Sequence, residues 1–98
     1  MERWVDALAT GAVLDEAGMD MLWGEHARLA PDTHYGYGWV VDSNWDARVI
    51  QHNGGNFFFF AHVLWWPDDD LLVITWSNGN EAISDLAWKL SRAALTAP

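Results

Sequence analysis

The residues best suited to chemistry are His52, Asn53, Gly54 and Gly55. A histidine ends an extended stretch there. The paired glycines after it leave an open edge where backbone-like groups of a ligand can dock. Free N–H groups at such an edge can also receive an oxyanion. Taken alone, the same four residues read better as a turn that needs glycine for its geometry, with a histidine at its rim.

Other clusters carry less. Ser77, His62 and Asp70 can be written as a triad, but no nucleophile-elbow pattern supports them. Asp68-Asp69-Asp70 reads as a solvated turn, because a hard cation needs ligands alternating around a flexible loop. His26 and His34 flank a loop too loosely to suggest zinc. His62, between Phe60 and Leu64 in register, reads as a hydrogen-bonded core histidine. Cysteine is absent, which excludes disulfides, thiolate metal sites and cysteine nucleophiles. No metal site and no cofactor is expected.

The elements that must position these residues follow from periodicity. Trp4, Val5 and Leu8 share one side of a short helix ended by Thr10-Gly11. Asp15 can cap a second helix with Met19, Leu22 and Trp23 on one face, closed by Gly24. Residues 25–34, with Pro31-Asp32-Thr33, read as a loop. Four strands are then expected: residues 35–42, 48–52, 57–66 and 71–76. Ser43 to Asp46 is turn chemistry, Asn53 to Asn56 is read as a chain reversal, and Pro67 to Asp70 as a tight polar turn. The strands at 57–66 and 71–76 are apolar on both faces and need cover on both. A final helix, capped by Asn80 with Glu81 behind it, carries a stripe of Ile83, Leu86, Ala87, Leu90 and Ala94. The fold class is therefore α+β: an antiparallel meander of about four strands with two short N-terminal helices. The long C-terminal helix is expected to pack on the sheet through Ile83, Leu86 and Leu90, and residues 1–98 form a single unit.

The order of these elements resembles one family. Two short helices, Tyr35-Gly36-Tyr37-Gly38-Trp39, a turn, His52-x-Gly-Gly, and two strands ending at Thr75-Trp76-Ser77-Asn78 before an amphipathic helix look like the C-terminal third of the serine β-lactamase and penicillin-binding protein superfamily, on the class C, esterase and DD-peptidase side. The resemblance spans nearly the whole chain. It implies that His52 stands at the cationic position of the third motif and that Asn53 and Gly54 line the strand against which substrate lies. It implies also that the Gly55 N–H is one half of the oxyanion hole. Phe58 departs from the pattern, standing where the family often has glycine before the aromatic that opens the next strand. The larger departure is the nucleophile. Ser-x-x-Lys is absent, since position 86 is leucine ahead of Lys89, the only lysine. A Tyr-x-Asn or Ser-x-Asn motif is absent too. The chain is read as a part of such a serine hydrolase, inactive by itself, or alternatively as a stand-alone binding or interaction domain.

Bulk properties narrow the partners. Five Lys and Arg against fourteen Asp and Glu give a formal charge of −9. Phosphate backbones and anionic lipid surfaces are repelled by such a field, so neither nucleic acid nor a membrane is an expected partner. Apolar residues make up 51% of the chain and tryptophan occurs eight times, which argues for a packed core. No signal peptide is read at Met1 to Asp6, and the compartment stays open. In the resembled fold the last strand pairs with strands from the N-terminal part of the chain. Leu71 to Trp76 is therefore expected to be a bare edge, completed by that part or by a second copy.

Overall fold

Strand β5, Phe60–Trp66, sets the architecture, because His62 to Trp66 are all buried and both of its faces need cover. The structure is a computed structural model that describes residues 2–31, 33–45, 47–55, 58–78 and 83–97; the side chains of residues 30, 44, 83 and 84 are not described. In chain order the elements are α1 (Glu2–Ala9), α2 (Glu16–Leu22), β1 (Ala27–Ala30), β2 (Thr33–Tyr35), β3 (Val40–Asn44), β4 (Ala47–Gly55), β5, β6 (Leu71–Ser77) and α3 (Ile83–Leu95). The strands form one sheet in the order β1-β2-β3-β4-β5-β6, each antiparallel to its neighbour. The expected meander is present, with β5 between its sequence neighbours. Among the described residues no helix is long and apolar enough to cross a membrane.

Alternation along the strands divides the core in two. Val41, Ile50, Val63 and Trp65 face α1 and α2, which bring Val5, Leu8, Met19, Leu22 and Trp23. Val49, Leu64, Trp66 and Val73 face α3 on the other side. Asp15 caps α2, its Oδ1 accepting from the Gly18 N–H at 2.8 Å. Trp66 is fully buried although its Nε1 lacks a hydrogen-bond partner. An unpaired buried donor costs about 1–3 kcal/mol. Burial of an indole removes about 150–250 Å² from water, contributing on the order of 4–6 kcal/mol, so packing wins.

The sheet has six strands where about four are expected. Residues 25–34 hold β1 and β2, a hairpin that has no period-2 signal because it has no core face: Ala27, Arg28 and Leu29 are exposed. Backbone pairing holds it, helped by Arg28, which donates to Glu25 at 2.8 Å and to the Pro31 carbonyl at 3.0 Å. The strand read at 35–42 is broken, because residues 36–39 leave the sheet between β2 and β3. Asn53 to Gly55 continue β4 instead of reversing the chain, and the connection to β5 spans residues 56–59, of which 56 and 57 lie outside the described residues. Asn80, Glu81 and the Ile83 side chain also lie outside them.

The expected contact of α3 needs correction. The helix is seated through Ala87 and Ser91, both fully buried, with Trp88 and Leu95 half-buried beside them, whereas Leu86 and Leu90 are 44% and 45% exposed. Trp88 meets Trp45 and Trp66, which draws the helix toward the β3–β4 hairpin. Leu86 and Leu90 lie about a quarter-turn round the other way and so flank β6, which has a strand neighbour on one side only among the described residues. The close seat gives opposite expectations at two neighbouring sites. Ala87→Leu is expected to overpack and lower stability by about 1–3 kcal/mol. Ser91→Ala, which removes a buried hydroxyl without a partner, is expected to be neutral or stabilising. Urea denaturation of both variants checks the pair.

Candidate functional site

β3 and β4 differ in length, and that difference creates the site. β3 stops at Val40, opposite Gln51, whereas β4 runs on through His52 to Gly55 along β5. The two-residue connection between β3 and β4 closes on the pair Asn44–Ala47, and Trp45 has the positive φ, 53°, of a tight hairpin turn. Such a loop is closed by a hydrogen-bonded pair, and the pairs alternate from there. Ala47, Val49 and Gln51 therefore bond to β3, and Asn53 and Gly55 turn their N–H and C=O groups to the same side. β3 does not reach them. Among the described residues, part of an inner strand thus keeps an open edge.

A kink upstream holds this edge open. The Gly36 N–H donates to the Trp39 carbonyl and the Tyr37 N–H to the Leu22 carbonyl, both at 2.8 Å. A Cβ on Gly36 would collide with the Leu22 carbonyl, and Gly38 has φ +84°, a conformation that glycine adopts at little cost. The kink makes Gly38 and Trp39 the wall of an open cavity of about 510 Å³. Its floor is Gly54, Ala61 and Val63, and its rim carries His52 and Asn53.

His52 is exposed, as a ligand-contacting residue must be, and its Nε2 lies 2.9 Å from the Tyr35 hydroxyl. In the neutral ring protonated on Nδ1, the Tyr35 O–H donates to Nε2. The rings meet edge-on, 6.0 Å apart. Tyr35 was legible only as part of its glycine-rich run; that it anchors His52 depends on the kink, which no spacing in the chain reveals. The two glycines differ. A Cβ on Gly55 would lie 2.6 Å from the Phe59 carbonyl oxygen and 2.7 Å from Phe60 Cδ2, so the fold requires glycine there. Among the described residues a Cβ on Gly54 would meet nothing within 4 Å, and its φ is not in the left-handed region.

The remaining candidates lie elsewhere. His62 is buried, its Nε2–H donating to Gln51 Oε1 at 2.7 Å while its Nδ1 has no partner. Asp70 stands at the opposite end of β6 from Ser77, so these three residues do not assemble a triad. His26 and His34 lie 2.7 Å from the carbonyls of Met21 and Trp23, and His26 stacks on Tyr37 at 3.8 Å. Both tie α2 and its C-terminal turn to β1 and β2.

No protein-family model matches the sequence, and a search of curated proteins finds no match. A solved structure is similar: a penicillin-binding protein from Bacillus halodurans, with a TM-score of 0.79 and 21% sequence identity. The chain adopts the fold of part of that protein. The match covers 91% of this chain and 27% of the other, so this chain spans about a quarter of its relative's length.

Burial holds the His62 pKa below its ordinary value of 6.5, and the neighbouring His52 charge lowers it further. With the folded value depressed, the unfolded chain takes up a proton below pH 6.5 that the native state refuses. Stability is therefore full above that pH and is lost as pH falls toward the folded value, by at most about 1.4 kcal/mol per pH unit. Urea midpoints are expected to fall between pH 7 and 5.5, above the range where carboxylates titrate. His62→Gln is expected to flatten that slope.

Proposed function

We propose that this chain supplies the third-motif strand and C-terminal helix of a β-lactamase-like serine hydrolase, while the nucleophile comes from another polypeptide segment. The observation that carries this reading is the open edge of β4 at His52 to Gly55 on a penicillin-binding-protein-like fold. In this reading Asn53 and Gly54 line the strand along which substrate lies, and the Gly55 N–H, which faces the open side, is one half of the oxyanion hole. His52 contacts the substrate's polar end, and Tyr35 positions the imidazole through their 2.9 Å hydrogen bond. No serine of the chain sits in Ser-x-x-Lys, so attack on an acyl carbon needs a hydroxyl from elsewhere.

The same reading assigns the partner. Outward-facing backbone of β6 at Leu72, Ile74 and Trp76 offers a template for another strand, and Trp76 is 74% exposed. Leu86 and Leu90 flank that edge on the α3 side. The remaining part of the hydrolase fold, pairing along β6, would cover all of them; a second copy of this chain is the other way to complete the sheet.

Two measurements test the reading. Incubation of this chain with penicillin or with a short-chain ester is expected to give no turnover and no mass increase. An acyl adduct on this chain would overturn the assignment of the nucleophile to another segment. Light scattering coupled to size exclusion at micromolar concentration is expected to show self-association when the chain is alone. A monodisperse monomer whose β6 amides are all protected from exchange would remove the case for a completing partner.

A further inference from the structure

We propose that β6 is the seam of a symmetric homodimer, paired antiparallel with β6 of a second copy about a two-fold axis at Ile74, and that Trp76 of each copy enters a cavity of the other. This rests on the open outer edge of β6 and goes beyond the hydrolase reading by fixing one occupant and its register.

Backbone geometry sets the register. Among the described residues β6 has a strand neighbour on one side only, and Leu72, Ile74 and Trp76 turn their backbone groups to the other. With the axis at Ile74, that residue faces its own counterpart and Leu72 faces Trp76 of the second copy. Outward groups therefore meet outward groups. An axis normal to the sheet keeps each face continuous, and every contact away from it occurs twice.

One face then supplies a knob and a hole. Leu72, Ile74 and Trp76 pair with Trp65, Val63 and Ala61, so their side chains lie on the face that carries α1. Trp76, 74% exposed, is the knob. The hole is a cavity of about 470 Å³ between α1 and the other half of β6. Val5, Trp65, Leu72 and Ile74 give it an apolar lining, and Glu2, Asp6 and Asp70 add carboxylates. Because Trp76 stands opposite Leu72 of the second copy, its indole reaches this lining, with acceptors present for its Nε1–H.

The other face fits at the same register. α3 packs on β5 and β6 together, so its axis sits about half a strand spacing inside β6. Two strands about 4.8 Å apart then bring the α3 axes of the two copies to about 10 Å, a separation at which helices pack. Trp88 meets both His62 and Trp66, which sets the middle of α3 level with Leu64 and its partner Val73, next to the axis. The exposed Leu86 and Leu90 face this seam from both copies.

Charge is compatible with the pairing. β6 contains no charged residue, and the acidic end at Glu2, Asp6 and Asp70 meets the neutral Trp76 end of the second copy. The formal charge of −9 on each copy repels at long range, where salt screens it. Knob, hole, leucines and edge backbone together withdraw on the order of 1,000 Å² from water, near the lower limit of a specific interface, so the dimer is a weak one. It takes the edge that the rest of a hydrolase fold would need, so dimer and completed fold exclude each other.

The absence of cysteine lets single substitutions report the register. Ile74→Cys places two thiols on hydrogen-bonded partners about 5.5 Å apart at Cα, within disulfide reach, and mild oxidation is expected to give a covalent dimer. Leu72→Cys leaves its two thiols about 14 Å apart and is expected to give none. Light scattering over a micromolar concentration series is expected to show a monomer–dimer equilibrium that tightens as salt is raised. Trp76→Ala, at an exposed position, is expected to keep the thermal midpoint and to weaken dimerisation at least about tenfold. Leu90→Glu is expected to weaken it from the other face. Equal cross-linking at the two cysteine positions, or dimerisation undiminished in both Trp76→Ala and Leu90→Glu, would overturn the proposal. A wild-type monomer whose β6 amides exchange freely would overturn it too, and would leave the edge open for the rest of a hydrolase. An acyl adduct on this chain would instead overturn the hydrolase reading and leave the dimer standing.

Discussion

Burial of β5 on both faces is the constraint from which the rest follows. Five consecutive residues, His62 to Trp66, are withdrawn from water, and successive side chains point to opposite sides of the sheet. One layer of helices cannot cover them. The chain places α1 and α2 over Val63 and Trp65 and α3 over Leu64 and Trp66. The two helical layers are unequal, and that inequality shapes the candidate site. The short helices cover the Trp65 end of their face and leave the Ala61 end bare, where the cavity lies.

The site is therefore made by what stops short. β3 ends at Val40, the kink at residues 36–39 carries the chain away from β4, and α1 and α2 do not extend over Gly54. A strand edge inside a sheet differs from an edge at its rim. Its far side is fixed by β5 along six consecutive pairs, so its backbone groups are held in place before any ligand arrives. Preorganised donors of this kind lose little on binding, which is why they serve for recognition and for stabilising developing charge. Tyr35 adds to the same rigidity by holding the ring of His52.

How much of this was legible depended on whether a residue's role was local. Apolar runs announced β5, which is buried on both faces, and β6, whose outer face is only partly covered, and Asp15 announced its helix by capping chemistry. His52 to Gly55 stood out because a histidine beside paired glycines is unusual chemistry for a strand end. β1 and β2 were missed because an exposed hairpin held by backbone bonds has no apolar period to read. The seat of α3 was misassigned because Ile83, Leu86 and Leu90 form a better apolar stripe than Ala87 and Ser91. Close approach to the sheet favours small residues over large ones, and a stripe records only hydrophobicity. The open side of Asn53 and Gly55 needed the register of β3, a long-range fact that no local pattern contains.

The meander also has a kinetic consequence. Every strand pairs only with its neighbours in sequence, so each pairing closes a short loop and no strand has to be inserted between two others. Low contact order of this kind favours rapid folding, hairpin by hairpin from either end, with β6 and α3 joining last if the chain is read in the direction of its synthesis. Growth of the sheet beyond β6 then requires no pair to be broken. A strand added there would extend a finished surface, with the groove beside β4 already shaped.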